Sequence, residues 1–408
     1  MKVLIKIAWR NILKHRRRTI LSGLAVGIGL AGMVFVDGLY KGMLESMVRT
    51  ATDTFLGQGQ IHTEGFRKTL EVEKTVQDSE AILKSLGSED MISAVSPRTV
   101  SFGMLSSAAG VNSALLYGIA PDTEMQISII DEAIRKGDYL TPGVVGQILI
   151  GSKTAETLEV ETGDRLVLTV AQAGTGELSQ DMFRIAGIFH MGIREADSGM
   201  AFINLNQSQD LLALGHDIHE IALKFKDINN AGDRSLMFWR KYSQGGNEAV
   251  GWRDLVPQLD SVIEMTGIST VIMSFLVFTI VAVTIMNSLF MSLYERMFEF
   301  GILRAVGTRP VNMALIIIFE AAILSLISIL IGLAIGFLVM HILSVYGINY
   351  RGIEFAGVTI TELIYPEFAL RQFTVFPLLI FIFSLIAALY PAVFAAKLTP
   401  ARAMQRSM

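Results

Sequence analysis

Hydrophobic and polar positions divide this chain into four long apolar blocks and one long mixed stretch. The apolar blocks run from Thr19 to Leu39, Ile268 to Leu293, Met313 to Val345 and Phe373 to Ala396. A helix rises about 1.5 Å per residue and a bilayer core is about 30 Å thick, so about 20 apolar residues are needed to span it. Each block is long enough, and the third is long enough to tilt or to extend past the bilayer. One such block alone would fit a buried helix of a soluble protein; four together predict four transmembrane helices. Between the first and second blocks the pattern changes to short apolar runs broken by Gly, Asp and Asn. Gln147 to Ile150, Arg165 to Val170, Phe183 to Phe189, Ala201 to Ile203 and Glu220 to Phe225 read as strands. Thr75 to Leu86 and Gln207 to Leu214 have helical spacing, with Asn206 placed to cap the second. Lys226 to Asp233 reads as a polar turn between lobes. The fold class expected is an α-helical membrane domain of four spans plus a large mixed α/β domain between the first two.

Charge orients these blocks. Lys2, Lys6, Arg10, Lys14, Arg16, Arg17 and Arg18 precede the first span with no acidic residue among them. Arg296, Arg304 and Arg309 follow the second span, and Lys397, Arg402 and Arg406 follow the fourth. The positive-inside rule puts all three groups in the cytoplasm. Both termini are then cytoplasmic. The chain divides into a basic segment 1–18, spans 19–39, 268–293, 313–345 and 373–396, a cytoplasmic loop 294–310, a tail 397–408, and extracytoplasmic regions 40–267 and 346–372. The expected location is a bacterial inner membrane. The first apolar run is too long for a typical signal-peptide core and no A-x-A site closes it, so it reads as an uncleaved anchor. Ahead of it, Leu4, Ile7, Ala8 and Ile12 share a helical face, with Trp9 beside them and basic residues opposite, as in an interfacial helix.

Composition narrows the chemistry. The 408 residues are 51% hydrophobic and 18% charged, where soluble domains carry about 25% charged residues, and the mean hydropathy is +0.49. There is no Cys, so disulfides and thiolate metal sites are excluded. The outer domain must hold together through its own core, for which roughly 225 residues suffice. No G-x-x-x-x-G-K-[ST] loop, H-E-x-x-H or G-x-S-x-G occurs. His216 and His219 beside Glu220 have metal-ligand types, but their polar surroundings fit a solvated turn, and no metal is expected. The chain is read as non-catalytic, without nucleic acid as a partner.

The informative stretch is the loop Tyr294-Glu295-Arg296-Met297-Phe298-Glu299-Phe300-Gly301-Ile302-Leu303-Arg304-Ala305-Val306-Gly307-Thr308-Arg309-Pro310. Charged and large apolar residues alternate, which fits a short amphipathic helix. Phe298, Ile302 and Leu303 are available for a partner's groove, and Glu295, Glu299 and Arg304 for its rim. An ordinary basic connector fits as well. The stretch resembles the E-R-x-x-E-[FI]-x-x-[LM]-R-A-[MV]-G signature of permeases of the MacB/FtsX superfamily, the type VII ABC transporters. Ala8-Trp9-Arg10-Asn11-Ile12 with Arg16-Arg17-Arg18, and Tyr390-Pro391-Ala392 through Pro400-Ala401, resemble that family's two ends. Tyr117-Gly118-Ile119-Ala120-Pro121, Ile150-Gly151 to Gly163-Asp164, and Gly187-Ile188-Phe189 to Ala201-Phe202-Ile203 resemble the lipoprotein-releasing, Lol-type members. The loop from Ala171 to Asp181 is short where one Lol subunit carries a carrier-binding hook, so binding of a periplasmic carrier or adaptor stays open.

The resemblance implies a permease with no cofactor of its own, paired with a second copy or a paralogue. ATP and Mg would be bound by two cytoplasmic ATPase subunits. Closure of the ATPases would push on Glu295, Arg296, Phe298, Glu299, Gly301, Leu303, Arg304 and Gly307, with Gly301 and Gly307 permitting close approach and ending the helix. Lipoprotein or lipid acyl chains would enter between the first two spans, where Val36, Leu39, Met43, Met47, Met273, Leu276 and Ile280 could line a shelter, although taken residue by residue the pattern favours side chains that face lipid or pack between helices. Removing acyl chains from a bilayer costs about 0.8 kcal/mol per CH₂, hence the need for ATP. A MacB-like efflux role and an FtsX-like role in activating a periplasmic hydrolase are the alternatives. Glu320 and Asn287 lie inside apolar blocks. An intramembrane carboxylate is costly and suggests function, unless interfacial water reaches it. Asp37 and Tyr40 read as interfacial anchors.

Overall fold

A computed structural model describes residues 2–350, 354–355, 358–359 and 363–399. The expectations for Arg402, Arg406 and Pro400-Ala401 lie outside these residues. Two compact units are present. One comprises Met1–Glu45, Ile263–Asn349 and Leu363–Met408; the other comprises Ser46–Val262 and Tyr350–Glu362.

The first unit is helical. Among the described residues, four helices are long and apolar enough to cross a membrane. They are Arg16–Ala51, continued by a π-turn at Thr52–Leu56, then Pro257–Glu295, Pro310–Tyr346 and Leu370–Ala396. Each begins or ends beyond its apolar block, because polar turns such as Tyr40–Ala51 continue the backbone hydrogen bonding once the bilayer constraint is gone. The second span turns Phe278, Val281, Ile285, Leu289 and Leu293 inward, a three-to-four-residue spacing that gives one buried stripe. Most of its other side chains face outward, as befits a helix solvated by lipid. The first and third spans instead approach through small residues. A Cβ on Gly332 would lie 2.7 Å from the Gly27 carbonyl oxygen, and Ser325, Ser328 and Gly336 continue the same buried face. Where lipid removes the hydrophobic drive between helices, such close approach supplies the packing. At the far end of the first span, Asp37 accepts a hydrogen bond from Gln372 Nε2 at 2.9 Å, so this residue also ties the first span to the fourth. Ahead of the spans, helix Lys2–Lys14 buries Ala8 and Ile12 and rests Leu4 and Ile7 on the bundle core.

The second unit is built on one sheet. Its strands are β1 (Gly59–Thr63), β2 (Ile92–Ser106), β3 (Val111–Ile119), β4 (Ile134–Gly137), β5 (Gln147–Gly151), β6 (Arg165–Ala171), β7 (Leu178–Phe189), β8 (Met200–Asn204), β9 (Glu220–Phe225) and β10 (Asn247–Gly251). Their order is β10-β1-β9-β2-β3-β8-β5-β7-β4, with β6 bridging β2 and β7. Most pairs are antiparallel; β3–β8 and β5–β7 are parallel. Period-two alternation buries both faces. Ile148, Ile150 and Ile203 enter one core while Leu149 and Phe202, beside them in sequence, enter the other. The outer part of β2, β3 and β7 breaks this rule: Phe102, Met104, Val111, Leu178 and Met182 are exposed.

Several sequence expectations shift here. The helix expected over Thr75–Leu86 is confined to Ser79–Leu86, and that expected over Gln207–Leu214 is Leu205–Leu212, with Asn204 instead of Asn206 at the N-cap position and its side chain turned to the carbonyls of Thr141 and Val144. The turn at Lys226–Asp233 contains a short helix, Ile228–Gly232, begun by the Asp227 side chain accepting from Asn229 N. His219 is buried, accepting from Val100 N at Nδ1 (2.8 Å) with Nε2 2.9 Å from the Val72 carbonyl, and Glu220 pairs with Arg98, while His216 is exposed. The three therefore form no common ligand set.

The deepest charge in this unit is Arg98, fully buried on β2. It donates to both oxygens of Glu124 (2.9 and 2.6 Å), to Glu220 (2.9 Å) and to the carbonyl of Phe55 in the π-turn (2.7 Å). The guanidinium also lies 4.0 Å from the centre of the Phe55 ring. One side chain thus joins β2, β9, the short helix Pro121–Glu124 and the π-turn.

Burial holds the pKa of His62 and His219 below the usual histidine value. Both are neutral when folded, and the unfolded chain takes up their protons first. Their contribution to stability is present above about pH 6.5 and is lost as pH falls, by up to about 1.4 kcal/mol per pH unit for each group. The thermal midpoint of the purified protein is expected to drop between pH 7.5 and 5.5. His219→Gln should lower the midpoint at pH 7.5 and flatten that pH dependence. A slope unchanged by the substitution would remove His219 from the account.

Candidate functional site

The segment between the second and third spans is where charge and apolar surface concentrate. Its helix covers Met297–Ala305, and Gly307, with φ +96°, ends it in a conformation that side-chain-bearing residues avoid. Met297, Phe300 and Gly301 are buried, and Leu303 packs on the bundle core. Gly301 therefore sits inside the helix against the bundle, and Leu303 faces inward, contrary to its expected use by a partner. What faces out is Phe298, Ile302 and Val306, four residues apart and 49%, 43% and 83% exposed. Spacing of four sets them on one stripe.

The charged residues of the segment are mostly engaged within the membrane unit. Glu295 accepts from Arg18 Nη1 at 2.7 Å and lies 3.5 Å from His15 Nδ1. Arg304 donates to the carbonyls of Leu398 (3.4 Å) and Thr308 (3.1 Å). Arg296 is buried over the Phe300 ring. Its Nε donates to Glu299 Oε2 at 3.0 Å, and its Nη1 stands 3.6 Å from Glu320 Oε2. Glu320, from the middle of the third span's first half, also accepts from Ser292 Oγ at 2.9 Å. It is buried, and Asn287 is exposed, so the two polar residues inside apolar blocks have opposite environments. On the helix itself Glu299 is the charged residue with an exposed side chain, with Lys14 3.8 Å away; Glu295 before it is exposed but paired, and Arg309 after it is exposed.

The seven cleft candidates separate. Val36, Met273, Leu276 and Ile280 are exposed on the first and second spans, and Leu39 and Met43 are half-buried. Met47 is 1% exposed and belongs to the α/β unit, so it does not line an open surface of the bundle. The short loop Ala171–Asp181 is the end of the β6–β7 hairpin, with Ala171 paired to Leu178.

Sequence reasoning missed the Arg98 cluster, the pairing of Arg18 and His15 with Glu295, and the role of Ser292 opposite Glu320. In sequence Arg18 reads as a topology signal, and nothing in its spacing shows a partner more than 270 residues away.

Residues 19–233 match the family model of the MacB-like periplasmic core domain, and residues 271–400 match that of the FtsX-like permease C-terminal. The chain belongs to the MacB/FtsX family of ABC transporter permeases. The permease is 24% identical over 308 residues to the lipoprotein-releasing system transmembrane protein LolC of Xylella fastidiosa (strain 9a5c), covering 72% of this chain and 73% of that one. It is 22% identical over 408 residues to LolC of Neisseria meningitidis serogroup B, covering 95% and 94%. The macrolide export ATP-binding/permease protein MacB of Campylobacter fetus subsp. fetus is 25% identical over 362 residues, which is 83% of this permease and 53% of that protein. With four apolar helices, the permease is a multi-pass inner-membrane protein of Lol-like type.

The opposite orientations of Leu303 and Phe298 separate stability from surface chemistry. Leu303→Asp puts a carboxylate against the core and should cost about 2–3 kcal/mol or more. Phe298→Asp should leave the thermal midpoint of the detergent-solubilised permease close to wild type. Equal destabilisation by both would contradict this orientation.

Proposed function

We propose that this permease works with separate cytoplasmic ATPase subunits to lift lipoproteins or lipids from the outer leaflet of the inner membrane. The observation that carries the coupling half of this reading is the outward stripe Phe298–Ile302–Val306, with Glu299 beside it, on the helix that bears the family signature. An apolar stripe of one helix is what a partner's groove receives. ATP and Mg belong to the partner, and movement of the docked helix would pass along the spans to the outer domain. The substrate half rests on the similarity to LolC. It is supported by the exposed apolar residues Val36, Met273, Leu276 and Ile280 on the first two spans, and by the exposed apolar sheet face at Phe102, Met104, Leu178 and Met182. An exposed apolar patch suits an acyl chain or a protein that carries one. A second permease chain, identical or paralogous, completes the assembly. The MacB-like reading, export of a periplasmic substrate, draws on the match of 83% of this chain to MacB.

Three experiments test the proposal. Phe298→Asp and Ile302→Asp should each abolish co-purification of the ATPase from membranes, with the permease still inserted; retention of the ATPase by both would exclude this helix as its contact. For orientation, the natural absence of Cys gives a clean background. Cysteines at Ser179 and Ser243 should react with a membrane-impermeant maleimide in intact spheroplasts, and one at Ser407 should not. Mass spectrometry of the purified complex separates the substrate readings: triacylated peptide or phospholipid supports extraction, and a non-acylated compound supports the MacB-like alternative.

A further inference from the structure

Arg296 stands between two carboxylates of different standing. Glu299 lies one turn away on its own helix, on the outward face, with its side chain 52% exposed. Glu320 lies on the third span, with its side chain 6% exposed. A guanidinium is a rigid planar fork that pairs best with one carboxylate through two parallel hydrogen bonds. Here the fork is divided. Nε donates to Glu299 at 3.0 Å, while Nη1 faces Glu320 Oε2 at 3.6 Å. Among the described residues neither Nη1 nor Oε2 has a hydrogen-bond partner. Leaving both polar atoms unmet in a buried site is costly, so the arrangement has something to gain by closing. Room for movement exists as well. A cavity of about 10 Å³, about the least that admits one water, adjoins Glu320 and is bounded by Arg18, Thr19, Ser288 and Ser292, so the carboxylate is not packed against side chains on every side.

We propose that Arg296 is a positioning residue that exchanges partners, held by Glu299 when the outward face is empty and closing on Glu320 when a cation occupies Glu299. A basic side chain of a docked protein competes with Arg296 for Glu299, because that carboxylate is the exposed one. Released, Arg296 turns its full fork to Glu320 and draws the Met297–Ala305 helix onto the third span. Occupancy of the docking face is thereby converted into a grip on a membrane helix 24 positions further along the chain, with Ser292 holding the other oxygen of Glu320 in place. Lys14, 3.8 Å from Glu299, is the only basic side chain the described residues place against that carboxylate from another element; Arg18 and His15 are directed to Glu295. The identity of the docked protein as an ATPase rests on the function proposed above; the exchange itself does not.

The test uses full-length permease in nanodiscs, without ATPase. Spin labels are placed at Val306→Cys and Leu330→Cys, both exposed, one at the C-terminal cap of the short helix and one on the third span. Their distance distribution is measured by pulsed electron resonance. Glu299→Gln frees Arg296, so it should narrow the distribution in the absence of any partner. Adding Glu320→Gln or Arg296→Gln to that variant should restore the width of the unsubstituted protein. The charge-exchanged pair Arg296→Glu with Glu320→Arg, combined with Glu299→Gln, should narrow it again, which a side chain needed only for folding would not do. A Glu299→Gln distribution as broad as the parent, or a narrowing that persists with Glu320→Gln, would overturn the exchange. Because ATPase is absent, failure here is distinct from failure of the docking assignment, which is read from ATPase co-purification in the Phe298→Asp variant.

Discussion

A guanidinium and a carboxylate facing each other inside an apolar bundle constrain everything built around them. Taking either charge alone out of water costs several kcal/mol, and their attraction offsets this only if the remaining polar atoms are also met. Glu320 on the third span therefore requires Arg296 and Ser292 at the end of the second, and those two require their helix ends to stay in register with it. The neighbouring helices serve the same need. Arg18 and His15, from the start of the first span, take Glu295 and so keep a second carboxylate beside the site paired. The apolar contacts around this node, Leu293, Met297, Phe300, Ile316 and Ile317, exclude water and make the polar contacts matter. Removing one charge from such a set is far more damaging than removing both.

The α/β unit solves an equivalent problem with Arg98. Two carboxylates, a backbone carbonyl and an aromatic face surround one guanidinium, all buried. The difference between the two arginines lies in saturation. Arg98 has a two-point contact to Glu124 and further bonds to Glu220 and Phe55, so it fixes its surroundings. Arg296 has a single good hydrogen bond and an open one, so the same chemistry leaves its surroundings free to change. A fold that carries both kinds can hold its outer unit rigid while its membrane unit keeps an adjustable contact.

Much of this was legible in the sequence, and the limits are physical. The spans could be read because a bilayer demands about 20 apolar residues irrespective of tertiary context. Their ends could not, since Tyr40–Ala51 has no constraint that composition records. Strands such as Gln147–Gly151 and Glu220–Phe225 announced themselves by apolar runs. β2 did not, because Ser96, Arg98, Thr99 and Ser101 are polar and yet buried, and the bonding partners of the first three come from elements further along the chain. In the site, the signature identified the right segment but not its faces. Leu303 and Ile302 are adjacent and equally apolar, and only the bundle's position decides that Leu303 turns in and Ile302 out. Charge was misleading in the same way: Glu295 and Arg304 look available in sequence, and both are consumed by partners within the unit.

That consumption bears on how the proposed ATPase contact would be held. With Glu295, Arg296 and Arg304 engaged internally, the outward face offers three apolar side chains and one carboxylate. Burying a side chain such as Phe, Ile or Val is worth about 1.5–3 kcal/mol each. A partly exposed pair to Glu299 adds about 1 kcal/mol or less. Affinity in such a contact comes from the Phe298–Ile302–Val306 stripe, and the single carboxylate contributes orientation. An interface of this kind resists salt and tolerates sliding along the stripe. The charged residues of the signature then serve mainly to fix the helix to the bundle, so that a push delivered to its apolar face moves the second and third spans together.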